Sequence, residues 1–218
     1  MKRHWPYLKA GRAEQIPAGA SGLWYVKEIN NPFRITLPNG KERAAGKYTM
    51  LLRWTDATIH LGHGECVMID DLPEMQTHLQ AALTARGRVL VTGLGLACVA
   101  RMLQQNPAVE SITILEKSAD VIKLVWPHTP HERIELIEAD AFAYLKATNR
   151  KWDCGWHDIW TDRSAGEPAL AVEHQRLLGI CADRVSQQGA WAFPRRHRRA
   201  FANMLATHGP RAVRECFE

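Results

Sequence analysis

The chain is 218 residues long, 46% apolar and 23% charged, with 28 lysines and arginines against 23 carboxylates, a formal charge of +5 and a pI near 9.1. That supplies a core for one domain with a small appendage, and no stretch approaches the ~18 uninterrupted apolar residues of a membrane span. The five cysteines (Cys66, Cys98, Cys154, Cys181, Cys216) are scattered, odd in number and form no Cys-x-x-Cys pair, which argues against a disulfide framework and predicts reduced thiols in a cytoplasmic protein.

Residues 1–20 are polar, hold Gly11, Pro17 and Gly19, and read as an arm without the apolar run of a secretory leader. Short runs rich in β-formers follow at Leu23–Val26, Phe33–Leu37, Tyr48–Trp54 and Ala57–Leu61, separated by Asn31-Pro32 and Pro38-Asn39-Gly40. They predict a small antiparallel β unit over residues 1–64. Cys66–Ile69 reads as a further strand. Asp70-Asp71-Leu72-Pro73-Glu74 then reads as a helix start, with an aspartate capping the free N–H groups, Pro73 in the first turn and Leu72, Met75, Leu79 and Leu83 as the buried stripe up to Gly87. Asp70 or Asp71 is also a candidate for ligand contact, because this helix leads straight into the next strand. His60, His63 and Glu65, and again His128 and His131, are spaced like metal ligands, but neither set lies on a helix face or has a cysteine at zinc spacing, so no metal is expected.

The chain is organised around Arg88-Val89-Leu90-Val91-Thr92-Gly93-Leu94-Gly95-Leu96-Ala97. A β-branched apolar run meets two glycines one residue apart, and Leu96, Val99, Ala100 and Leu103 then recur at helical spacing. Glycines let a backbone turn tightly and approach a ligand, and the helix start offers N–H groups to an anion. The second strand, Ser111–Leu115, stops at Glu116-Lys117, with 116 − 95 = 21 residues from Gly95 to Glu116, the interval at which an acidic residue meets ribose hydroxyls. A third strand, Ile134–Ile137, runs into Asp140-Ala141-Phe142, where the carboxylate can accept from an adenine amino group beside the ring or cap the following helix. The fourth, Trp152–Trp160, ends in Trp156, His157, Asp158 and Trp160, with Asp162 beyond. In an open parallel sheet ligands lie outside the carboxyl ends of the strands. The expectation is therefore a substrate pocket here, with Asp158 as its exposed acid/base or substrate-holding group. Trp156 and Trp160, which share a strand face, are expected as core residues that also wall it, with His157 beside them.

A helix with Pro168 in its first turn spans 167–181, and Ala190–Phe193 reads as a short fifth strand. Arg195-Arg196-His197-Arg198-Arg199 opens a basic helix through 218, which reads as a solvated face, a homo-oligomer contact or a phosphate or nucleic-acid surface. The expected division is thus 1–64, a doubly wound α/β domain over 65–194, and a basic tail over 195–218.

This order of motifs resembles class I S-adenosylmethionine-dependent methyltransferases, and within them spermidine-synthase-like proteins, which also carry a small N-terminal β unit and a Glu-Met-x-x-His stretch, here Glu74-Met75-Gln76-Thr77-His78. The wording of Gly93–Leu96 and Trp156–Trp160 is similar to uncharacterised phage and prophage proteins of this fold. The likeness covers roughly residues 47–193. It implies a Rossmann-like fold, for whose late strands the 218 − 193 = 25 residues after Phe193 leave little room. It also implies S-adenosylmethionine as cofactor: Gly93, Leu94 and Gly95 at the methionine portion, Glu116 and Lys117 at the ribose, Asp140, Ala141 and Phe142 at the adenine, and Asp158 facing the acceptor. The glycine turn lacks the internal aspartate of spermidine synthases, and Asp158 and Asp162 do not form their Asp-x-x-Asp-Pro signature. Methyl transfer is therefore the first expectation. Aminopropyl transfer and a non-catalytic cofactor-binding module are the alternatives, with protein, small molecule and nucleic acid open as acceptors.

Overall fold

In a computed structural model, residues 4–37, 40, 42–59, 63–160, 168–193 and 195–217 are described. The chain divides into two compact units: Met1–Thr84 with Leu94–Pro107 and Ser118–Ile134, and Ala85–Gly93 with Ala108–Lys117 and Glu135–Glu218.

The first unit opens with α1 (Trp5–Ala10), then β1 (Gly19–Ser21), β2 (Trp24–Asn31), β3 (Ile35–Thr36), β4 (Glu42–Arg43), β5 (Gly46–Arg53), α2 (Asp56–Ile59), β6 (Glu65–Ile69) and α3 (Leu72–Thr84). Four strands make an antiparallel sheet in the order β1-β2-β5-β6, with Val26 opposite Leu51 and a bulge between Leu51 and Leu52. β6 pairs along β5, so this sheet reaches Ile69. The strand expected over Ala57–Leu61 is instead a single helical turn through Ile59, because the Thr58 hydroxyl accepts from the Thr55 N–H at 2.9 Å and closes the turn locally; His60 and Leu61 lie outside the described residues.

α3 begins as expected: Asp71 Oδ1 accepts from the Glu74 N–H at 2.9 Å, while Oδ2 accepts from Arg43 Nε at 2.6 Å. Its buried stripe differs. Met75, His78 and Ala82 are buried at i, i+3 and i+7, Leu72 is exposed, and Leu79 and Leu83 are half-buried. A histidine took the central place that hydropathy assigned to leucines, and His78 Nε2 lies 3.2 Å from Glu74 Oε1. This unit also holds α4 (Cys98–Gln104), α5 (Ala119–Val125) and a 3-10 turn at Trp126–His128. Buried Arg101 on α4 donates to the carbonyls of Leu96 and His128, fixing the segment that enters its own helix.

The second unit is built on β7 (Gly87–Thr92), β8 (Val109–Glu116), β9 (Ile134–Glu138), β10 (Trp152–His157) and β11 (Val185–Ala190), in the spatial order β11-β10-β7-β8-β9 of a five-stranded parallel sheet. Val89 faces Ile112 on one side and Cys154 on the other. β7 is the central strand, and its Val89-Leu90-Val91 run is buried, as a strand covered on both faces requires. In chain order α4, α5, α6 (Ala141–Ala147) and α7 (Pro168–Ile180) separate successive strands, the βαβ alternation of a Rossmann-like fold.

The fifth strand is present but lies earlier than Ala190–Phe193. β11 is an edge strand whose Ser186 and Gln187 are exposed, so it lacks the apolar signature of a buried strand. Trp191 and Phe193 are core residues in the turn that follows. α8 (Arg195–Glu215) packs on α7 and breaks its helical geometry at Gly209 (φ 76°, ψ 158°), just before Pro210. Among the described residues no helix is long and apolar enough to cross a membrane.

Candidate cofactor-binding edge of the parallel sheet

Because the strands of the second unit are parallel, the residues that end them share one edge of the sheet. Gly93 follows β7, Glu116 ends β8, Asp140 follows β9 and Asp158 follows β10. Backbone hydrogen bonds lace these ends together: Gly93 N–H to Leu115 O at 2.8 Å, Asp158 N–H to Thr92 O at 2.9 Å and Ala139 N–H to Glu116 O at 2.9 Å. Gly93 has φ +92°, and a Cβ there would stand 2.1 Å from the Asp158 carbonyl oxygen. Glycine is demanded twice, by the dihedral and by the approach of a neighbouring backbone.

Asp140 is exposed and N-caps α6, its Oδ1 accepting from the Ala143 N–H at 3.0 Å. Its second oxygen receives no protein donor among the described residues. The cap and the ligand readings are therefore compatible, one oxygen each. Ala141 is buried, and half-buried Phe142 lies beneath the Arg176 guanidinium, 5.1 Å from its ring centroid. Glu116 and Asp158 are half-buried and Lys117 is exposed. The edge thus offers three carboxylates beside a glycine turn, a donor-poor and acceptor-rich set suited to hydroxyl, amino or ammonium groups.

Of the expected ring cluster, His157 and Trp160 are core side chains. His157 is wholly buried between β7 and β11, with Nδ1 3.2 Å from the Thr92 hydroxyl and Nε2 3.2 Å from Gln188 Oε1, and burial pushes its pKa down to about 4. It is a neutral core residue and not a pocket group. Trp160 is also buried: its indole N–H donates to Glu173 at 2.9 Å and its ring lies 4.0 Å from that of His174. The Trp156 ring lies over Gly189 of β11, where a Cβ would meet it at 3.2 Å. Asp162 lies outside the described residues.

In the first unit, Leu94 is buried, and Gly95 (φ +50°) sits against Met68, whose Sδ would be 2.7 Å from a Cβ and accepts the Leu96 N–H at 3.1 Å. The second glycine thus answers to packing on a methionine. Asp70 is fully buried, its carboxylate accepting from Arg12 Nε (3.0 Å), Ala13 N–H (2.8 Å) and Thr49 N–H (2.7 Å). That is a structural hub in place of the expected ligand contact. His63 Nδ1 stays with its own backbone at Gly64 O, and His131 stacks on Trp126 and hydrogen-bonds its carbonyl. Sequence reading missed Met68 and Arg176. Neither lies at a motif spacing: Met68 read only as a strand residue, and Arg176 falls between apolar positions of α7.

No family model matches the chain, and no curated protein matches it in sequence. Solved structures do. Spermidine synthase from Thermotoga maritima superposes with a TM-score of 0.53 over 91% of this chain at 15% identity. A spermidine synthase in complex with the transition-state analogue AdoDATO superposes with a TM-score of 0.51 over 78% at 17% identity. The chain spans 63% and 54% of the lengths of those two proteins. The fold is spermidine-synthase-like. The resemblance to phage and prophage proteins rests on sequence wording alone.

Proposed function

We propose that the chain is an S-adenosylmethionine-dependent methyltransferase acting at the carboxyl edge of its parallel sheet. The observation that carries this reading is the convergence of Gly93, Glu116, Asp140 and Asp158 at laced strand ends, with an oxygen of Asp140 left open. In this reading Glu116, with Lys117 beside it, holds the ribose hydroxyls, and Asp140 accepts from the adenine amino group with Ala141 and Phe142 along the ring. The backbone from Gly93 through Leu94 and Gly95 passes the methionine portion. The cofactor supplies a methyl group already activated on a sulfonium. The protein's share is to orient the acceptor in line and to exclude water, with Asp158 taking the acceptor's proton or holding its ammonium group. Little further acid/base machinery is needed, in keeping with one half-buried carboxylate at the end of β10.

The likeness to two spermidine synthases, which takes in most of the chain, favours aminopropyl transfer as a second reading. Isothermal titration separates the two. Binding of S-adenosylmethionine and its demethylated product, weakened about tenfold or more in Glu116→Ala, supports the methyltransferase reading. Preference for decarboxylated S-adenosylmethionine moves the assignment to aminopropyl transfer. Absence of binding by all three rejects a cofactor site.

A further inference from the structure

The second unit carries a concavity that the proposed function does not use. A groove of about 860 Å³ lies toward the opposite end of the parallel strands, where Arg88 is the second residue of β7, Lys151 precedes β10 and Arg184 precedes β11. One wall is β11 from Val185 to Gly189, and the other is α8 from Arg198 to Arg211. Leu178, Phe201 and Leu205 add an apolar lining. β11 is the outermost strand of the sheet, so among the described residues its far edge is not paired with another strand. Such an edge is a template for an added strand.

The charge of the groove selects the occupant. Five cationic side chains line it against two carboxylates. Both carboxylates are engaged, Asp153 by the backbone and side chain of Arg88 and Asp183 by Arg214 at 3.0 Å. Among the cations Arg211 pairs with Glu215 at 3.1 Å and Arg184 is buried against the Ile180 carbonyl, so Lys151 and Arg198 are the charges that face an occupant. Arg198 gives Nε to the Phe193 carbonyl and, like Lys151, has no carboxylate partner among the described residues. A second copy of the same face is disfavoured by this like charge. The groove's Trp152, Phe193 and Phe201 are sunk at 3%, 4% and 6% exposure, so they offer no open faces on which nucleic-acid bases could stack. From Val185 to Gly189 the β11 wall runs ~13 Å, and from Arg198 to Leu205 the helix wall runs ~10 Å, a length suited to an extended chain.

We propose that this groove docks an acidic, extended segment of a partner polypeptide, added as a strand along β11 with its carboxylates toward Lys151 and Arg198. This surface is separate from the cofactor edge and does not depend on the reading of that edge.

The test uses the full chain and a fluorescein-labelled peptide of alternating glutamate and valine, about six residues long, followed by anisotropy. The expected result is saturable binding, weakened by salt and weakened about tenfold in Lys151→Glu/Arg198→Glu, with the circular dichroism of the variant unchanged. Methylating alternate peptide nitrogens removes strand donors without touching the protein, and is expected to weaken binding about tenfold. No binding of the acidic peptide overturns the proposal, as does equal binding of its lysine-for-glutamate counterpart or of the N-methylated form. Tighter binding of an oligothymidylate assigns the groove to nucleic acid, and self-association abolished by the charge reversals assigns it to a second copy. Either result overturns the peptide assignment.

Discussion

Gly93 and the carbonyl of Asp158 pack so closely that a single added carbon at position 93 would sit 2.1 Å from that oxygen. The contact joins the end of the central strand to the residue proposed to face the acceptor. Gly93→Ala therefore has to move backbone, not a flexible side chain, and must also hold φ near +92°. The expected cost is on the order of 3 kcal/mol in a urea melt, with loss of S-adenosylmethionine binding. Gly40→Ala is the matched control. It shares a positive φ (+77°) with nothing within 4 Å, and should cost only about 1 kcal/mol. Equal costs would remove the Asp158 contact as the reason for glycine.

Asp140 gives one oxygen to its own helix and keeps the other. Asp140→Ala should lose both functions: about 1 kcal/mol of stability together with cofactor affinity. Asp140→Asn keeps an oxygen for the Ala143 N–H but turns an amide donor toward an adenine amino group. Stability near wild type with affinity down about tenfold is the expected pattern. Unaltered titration of Asp140→Asn would leave the residue a cap alone.

Burial holds His157 neutral, with a pKa of about 4 against an ordinary value of 6.5. Between those values the unfolded chain binds more protons at this site than the folded one, so stability falls as pH drops from 6.5 toward 4. The full loss from this residue is on the order of 3 kcal/mol. His174, whose pKa burial also lowers, contributes a slope of the same sign. Melting temperature should decline through that window, and His157→Gln should flatten the decline without removing it. A variant with the wild-type slope would show that His157 is not the group being titrated.

Much of the second unit was legible in the sequence because parallel strands buried on both faces write themselves as apolar runs. Val89–Val91 and Ile112–Leu115 are such runs, and the carboxylates that end their strands fell at the spacing chain topology imposes. β11 was misplaced for the converse reason: an edge strand with exposed Ser186 and Gln187 carries no such run, and the core residues beyond it do. The ring cluster was legible only in part. Rings at a strand end are equally suited to pocket and core, and only the partners of His157 and Trp160 decide between them. Helix α3 shows the same limit, since a histidine beside a carboxylate at i−4 replaced leucine in the buried stripe.

Asp70 illustrates how a ligand candidate and a structural hub can look alike in sequence. Its carboxylate receives one guanidinium N–H and two backbone N–H groups, drawing the arm at Arg12–Ala13 and strand β5 onto the start of α3. Removing it strands buried donors, and Asp70→Ala should cost about 3–5 kcal/mol with early loss of the first unit's structure. Asp70→Asn retains one acceptor but points an amide at donors, and should cost less, about 2 kcal/mol. At a temperature where Asp70→Asn is folded by circular dichroism, S-adenosylmethionine should bind it as it binds wild type. Loss of binding by that folded variant would return Asp70 to the ligand site and show that its hydrogen bonds to Arg12, Ala13 and Thr49 are not its whole task.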